Sequence, residues 1–312
     1  DRWLIEKDKL AIEKHQEYID AIKFELDIIK ETNDVVHTAD YFLLNEKIVD
    51  KATNEYGGIL TKSGRGSGVS FYINKLLGFT GIDRLALNVP MYPTRFLSKS
   101  RLLDSRSLPD FDFNTANPEP FIQATRDLLG ENGCHWMIAY GTMKESEAFR
   151  NTCRNMGLEF SEYNNIAKNL DSYREDKHWG KIIEHSSKFV DSIVSASPHP
   201  CAMVIMDRDI EEEIGVVRIG DKLCAIITSK EADEWKYLKN DYLTVLVVEI
   251  ISDTFKLLGE EVIEVSELIK RLDNKVWSLY ENGLTTTLNQ TDSDFATNLV
   301  MKYKPNKSEE LS

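Results

Sequence analysis

The chain has 312 residues, 42% hydrophobic and 29% charged, which excludes a disordered segment and leaves room for two or three units with real cores. Its net charge of −14 argues against a uniformly basic nucleic-acid binder, because phosphate contacts need lysine and arginine. No apolar run approaches a membrane span, and Cys134, Cys153, Cys201 and Cys224 show no paired spacing, so reduced thiols in a cytoplasm are expected rather than a disulfide frame or zinc site.

Periodicity predicts a helix over residues 6–30, with Leu10, Ile19, Ile22, Leu26 and Ile29 in one stripe. A second is expected over 40–55, capped by Thr38 or Asp40 and stopped by Gly57-Gly58. Next comes Lys62-Ser63-Gly64-Arg65-Gly66-Ser67-Gly68-Val69-Ser70, followed by the apolar run 71–77. Glycines let a backbone approach a ligand closely. Ser67 as cap of a helix over 67–77 would turn free N–H groups and a positive dipole end toward the loop, an anion site with Arg65 in reach. The Gly-Lys-Ser/Thr ending of a Walker A loop is missing, and the same composition fits a linker.

The segment Ser107-Leu108-Pro109-Asp110-Phe111-Asp112-Phe113 reads as a strand, with Pro109 at its start or on an edge. Side chains at i and i+2 share a face, so Asp110 and Asp112 project together while Phe111 and Phe113 pack behind. Like charges so placed suit a cation between them, and Mg2+ prefers oxygen ligands. Two acids in a solvated turn would read the same. Arg84, Arg95, Lys99, Arg101 and Arg106 precede Asp110 and form a candidate basic track, whereas acidity concentrates in 207–213 and 260–267.

Further helices are expected over 118–129, with Pro118 in its first turn, and over 142–156, closed by Gly157; a short buried strand over 136–140 lies between them. The stretch 159–188 is polar and helical, anchored by Tyr173, His178 and Trp179. Strands return at 201–206, 216–219, 223–228 and 237–243, then a helix over 245–258 and a helix–loop–helix over 260–312. His199 reads as a packed loop residue rather than a metal ligand. Lys239 and Asp241 share a face if 237–243 is extended. A phosphate-facing lysine beside a metal-facing acid is one reading, and a surface pair at a strand end is the other.

The order of these motifs resembles the alpha subunit of bacterial replicative DNA polymerase III, the C-family of DNA polymerases. The residues that carry it are Gly64-Arg65-Gly66-Ser67, Arg95-Phe96-Leu97, Pro109-Asp110-Phe111-Asp112, Tyr140-Gly141-Thr142-Met143, His199-Pro200-Cys201 and Lys239-Asn240-Asp241. Tyr41-Phe42-Leu43-Leu44 and Thr285-Thr286-Thr287-Leu288-Asn289-Gln290 are similar to further family segments, with Asn289 in place of a phenylalanine. The departures are Asn114 where a third acid is frequent, an insertion at 102–106, Phe71 and Tyr72 in place of smaller residues, and Thr244 in place of glycine. They suggest a divergent, phage-encoded member.

The resemblance implies an α/β (α+β) fold: a nucleotidyltransferase-like palm with a mixed sheet, split by a small helical thumb, followed by the start of helical fingers. On that reading 1–32 is a helical lead-in, 33–143 and 190–258 are the palm, 144–189 the thumb and 259–312 the fingers. The implied activity is DNA-directed DNA polymerase, a catalytic-core fragment adding a dNTP to a primer 3′-hydroxyl with two Mg2+ ions. Asp110, Asp112 and Asp241 would hold metal; Gly66, Ser67, Arg95, Arg101 and Lys239 would hold the nucleotide. Implied partners are primer-template DNA, dNTP, a sliding clamp and other replisome proteins, with no membrane, in a bacterial or host cytoplasm. A non-templated nucleotidyltransferase and an inactive polymerase-like interaction protein are the alternatives.

Overall fold

The computed structural model describes residues 2–61, 66–87, 91–260, 273–288, 290–307 and 310. In chain order the helices are α1 Arg2–Glu6, α2 His15–Val36, α3 Thr38–Glu55, α4 Tyr72–Leu76, α5 Lys99–Ser105, α6 Glu119–Leu129 and α7 Glu145–Asn155. They continue with α8 Phe160–Ala167, α9 Trp179–Ser187, α10 Ile210–Glu213, α11 Ser229–Trp235, α12 Leu246–Leu258, α13 Lys275–Glu281 and α14 Asp294–Tyr303. The strands are β1 Phe111–Thr115, β2 Cys134–Thr142, β3 Ile193–Ile205, β4 Val216–Ile219, β5 Lys222–Ala225 and β6 Leu238–Thr244. They form one mixed sheet in the order β1-β6-β3-β2-β5-β4, with β2–β5 parallel and β2–β3, β3–β6 and β4–β5 antiparallel. The expected α/β class with a mixed sheet is therefore present.

Two compact units divide the chain: Asp1–Asp104 with Asp112–Ala124 and Tyr242–Ser312, and Ser105–Phe111 with Thr125–Asp241. In the first, Phe71 packs on Phe96, and both lie beside Phe42, with ring centres 5.5, 6.0 and 6.3 Å apart. Three separate sequence motifs thus share one aromatic cluster. A second group stacks Phe113 on Tyr242, flanked by Phe79 and Phe121. Glu25, fully buried on α2, accepts the N–H groups of Tyr72 and Ile73 at 3.0 and 2.8 Å and both Nε and a terminal nitrogen of Arg84 at 2.9 and 2.6 Å. Burial pushes its carboxyl upward, against these lowering contacts.

In the second unit, β2, β3 and β5 bury Met137, Ala202, Val204 and Ala225 against Ile210 and Ala232. Helices α7, α8 and α9 keep their own core around Phe149, Tyr163, Ile166, Ile182 and Ile183. His135 is buried with neither ring nitrogen hydrogen-bonded. Burial, with the Arg126 charge, lowers its pKa.

Local physics shifts several boundaries. His37 takes a left-handed conformation, φ 52°, and α3 is opened by the side chain of Asn33, which accepts from Ala39 N–H, not by Thr38 or Asp40. The helix expected over 67–77 breaks in two. Gly68–Ser70 is a short 3-10 turn, Phe71 is extended, and α4 starts at Tyr72. The insertion at 102–106 continues a helix that starts at Lys99. Strand β3 begins well before residue 201, and α11 falls where the sequence reading placed no element.

Two outcomes follow from buried charge. Glu25→Ala leaves Arg84 buried without its partner and two helix N–H groups unpaired; urea unfolding should show a loss of about 3–5 kcal/mol, and a loss under about 1 kcal/mol would refute the role. His135, neutral when folded, binds its proton more weakly than in the unfolded chain, so stability should be full above pH 6.5 and fall below it. His135→Leu should flatten that fall in melting curves recorded from pH 7.5 to 5, about the range in which histidine titrates.

Candidate active site

In the second unit the site is built from α11, β6 and the residues before β1. Thr228 and Glu231 form a capping box that starts α11. Lys236, at φ 64°, ends it with a left-handed turn, its N–H and that of Tyr237 both reaching Ala232 C=O. The chain reverses there into β6, whose register against β3 sets Val204 opposite Lys239 and Ala202 opposite Asp241. Helix α11 thus lies beside the start of β6.

Lys239 is the focus. Its side chain is only 7% exposed, and its ammonium lies 2.9 Å from Asp233, 3.3 Å from Asp110 and 3.0 Å from the Ser229 hydroxyl, to which it donates. Burial disfavours its charge, but the two carboxylates overcome that and leave its pKa above the ordinary lysine value. The structure thus brings Lys239 to Asp110, where the sequence reading pairs it with Asp241, and adds Asp233 and Ser229.

His199 lies in an irregular part of β3, where three residues of β2, from Trp136 to Ile138, face six of β3, from Pro198 to Met203. Its Nδ1 accepts the N–H of Ala202 at 2.8 Å and of Cys201 at 3.3 Å, so the proton of the neutral ring sits on Nε2. Burial, and then the Lys239 charge, lower its pKa. His199 is therefore a strand residue that satisfies its own bulge.

In the first unit, residues 59–61 run beside β1: Ala116 N–H donates to Ile59 C=O and Thr61 N–H to Asn114 C=O. The chain then reaches Gly66 at φ +66°, so close to β1 that a Cβ on it would meet Asp112 Oδ2 at 2.1 Å. Glycine is needed here on both counts. Asn74 fixes the loop by donating to Gly68 C=O at 2.8 Å, and Ser70 donates to Ser67 C=O.

Among the described residues, Ser67 does not open the helix expected to carry an anion site. Ser67 makes no capping hydrogen bond, and the N–H groups that open α4 are taken by Glu25. A carboxylate of the protein occupies the position a phosphate would need. Arg84 leaves the expected basic track for the same reason, buried on Glu25, and Lys99 pairs with Glu31. Arg95, on the 3-10 turn Pro93–Arg95, and Arg101, on α5, are exposed. Lys62, Ser63, Gly64 and Arg65 lie outside the described residues.

Carboxylates are the hard oxygen donors that Mg2+ prefers, so the chemistry of the Asp110, Asp112 and Asp241 side chains suits that metal. Among the described residues no three His, Cys, Asp or Glu side chains are gathered as a metal-holding group. The Lys239 ammonium lies 3.3 Å from Asp110.

Residues 4–244 match the family model of the bacterial DNA polymerase III alpha NTPase domain. The chain belongs to this family. Among curated DNA polymerase III alpha subunits, that of Staphylococcus aureus (strain NCTC 8325) is 26% identical over 319 residues, covering 94% of this chain and 28% of the relative. That of Pseudomonas aeruginosa is 24% identical over 339 residues, covering 99% and 28%. The chain spans little more than a quarter of the length of these relatives. The match to the polymerase III alpha family takes in Gly66, Ser67, Arg95, Arg101, Asp110, Asp112, Lys239 and Asp241. No helix among the described residues is long and apolar enough to cross a membrane.

Gly66→Ala tests the close approach to Asp112. Left-handed strain costs about 1–2 kcal/mol, and Asp112 must also move. Calorimetric unfolding should show at least that loss; wild-type stability would mean that the loop yields freely.

Proposed function

We propose that this chain carries the palm and thumb of a DNA-directed DNA polymerase that joins a dNTP to a primer 3′-hydroxyl. The observation that carries the reading is the presence of Asp110, Asp112 and Asp241 together within the family match. Phe113 and Tyr242, the next residues after Asp112 and Asp241, stack on each other at 5.8 Å. Strand alternation supports both acids facing away from that stack, with Asp110 in phase with Asp112.

Asp110, Asp112 and Asp241 would hold two Mg2+ ions. When bound, the metal supplies polarisation of the attacking oxygen and charge compensation for the leaving pyrophosphate. The protein's own part is positioning and electrostatics. Lys239 offers the triphosphate a fixed ammonium, and Arg95 and Arg101 offer exposed guanidinium groups. Gly66 and Ser67 offer backbone that a nucleotide can approach closely. In this reading 1–32 leads in, 33–143 and 190–258 form the palm, 144–189 the thumb and 259–312 the start of the fingers. Primer-template DNA and dNTP are the ligands. A sliding clamp and other replisome proteins are the further partners of this reading, in the bacterial or host cytoplasm.

The test is Mn2+ binding followed by electron paramagnetic resonance, paired with primer extension. Asp110→Asn and Asp241→Asn should each weaken Mn2+ binding by at least the roughly tenfold that even an outer-shell partner costs, with the circular dichroism spectrum unchanged. Extension by this chain should be slow and should need a template. Template-independent addition would replace the reading with a non-templated nucleotidyltransferase. Mn2+ binding indifferent to Asp110 and Asp241, without extension, would leave a polymerase-like interaction protein.

A further inference from the structure

An ammonium has three N–H groups to direct, and oxygens of Ser229, Asp233 and Asp110 lie within reach of that of Lys239. Two of these come from one helix. Ser229 and Asp233 are four residues apart on α11 and so share a face, which the capping box at Thr228 holds in place. The Asp233 contact, at 2.9 Å, is shorter than the Asp110 contact at 3.3 Å. Asp233 is 57% exposed and Asp110 44%, so neither pair is well shielded and each is a weak source of stability. Position, not stability, is what the arrangement provides. Without Asp233 more of the Lys239 charge would lean on Asp110.

We propose that Asp233 is a positioning residue: with Ser229 it holds the Lys239 ammonium beside Asp110, and it retains that ammonium when a divalent cation takes Asp110. The second half rests on the polymerase reading of Asp110 as a metal ligand; the first half does not. Lys239 then acts as a tethered cation whose share of Asp110 is set by Asp233. Its orientation toward a polyphosphate survives metal binding because one carboxylate and one hydroxyl still fix it.

Mn2+ alone is the probe for the second half, measured by paramagnetic resonance on the 312-residue chain. Lys239→Met should tighten Mn2+ binding, because a competing cation is gone. Asp233→Asn should weaken it roughly tenfold, as loss of an outer-shell partner does, in the presence of Lys239. In the Lys239→Met background the same substitution should change it by less than about twofold, since the residue acts through Lys239. Equal losses in both backgrounds would mean a bulk charge effect and would overturn the proposal. The first half is read without metal, from the ζ-nitrogen resonance of Lys239, assigned by its absence in Lys239→Met. It should be sharp in the wild type and broadened in Asp233→Asn; an unchanged resonance overturns the positioning role. Mn2+ binding that ignores Asp110→Asn would instead refute the metal reading, and the resonance would still decide the positioning role.

Discussion

A buried ammonium cannot stand alone. Taking an ion out of water costs several kcal/mol even after relaxation, so Lys239 requires carboxylates, and much of the second unit is arranged to supply them. The capped helix α11, the left-handed reversal at Lys236 and the pairing of β6 with β3 all fix where that charge sits. After burial, the same charge is what lowers the His199 pKa.

The first unit solves the opposite problem with Glu25, a buried anion. Its partners are the opening N–H groups of α4 and Arg84, the cation and the helix end that the motif pattern offered to a ligand. The glycine loop keeps one role after this reassignment. Gly66 lies against Asp112 through its lack of a side chain, not through a helix dipole. The loop therefore meets β1 through bare backbone, and of the arginines before Asp110, Arg95 and Arg101 stay exposed.

The sequence made much of this legible. The strands at 216–219 and 237–243 and the helices at 118–129 and 245–258 follow from alternation, amphipathic spacing and Pro or Gly punctuation, and the structure places them within a residue or two. Lys239 and Asp110 were each named from the motif order, but the ion pair between them was not. What escaped was set by tertiary contacts. The turn at 67–71 looks helical until Glu25, more than forty residues earlier, claims Tyr72 and Ile73. Asp233 hides in Ser229-Lys230-Glu231-Ala232-Asp233-Glu234, a run that resembles any solvated surface; only the reversal at Lys236 aims it at Lys239. The Thr228 to Glu231 capping pattern was the available signal for that helix.

The irregularity in β3 carries a consequence for how this chain tolerates change. Before it, residues 193–197 form an exposed ribbon with the end of β2; after it, Ala202–Ile205 is a buried strand between β2 and β6. A continuous strand would couple the two halves, so that a one-residue slip in the ribbon would invert every side chain down to Val204. The extra residues between Pro198 and Met203 act as a phase joint. The outer ribbon can lengthen, shorten or shift while Val204 stays opposite Lys239.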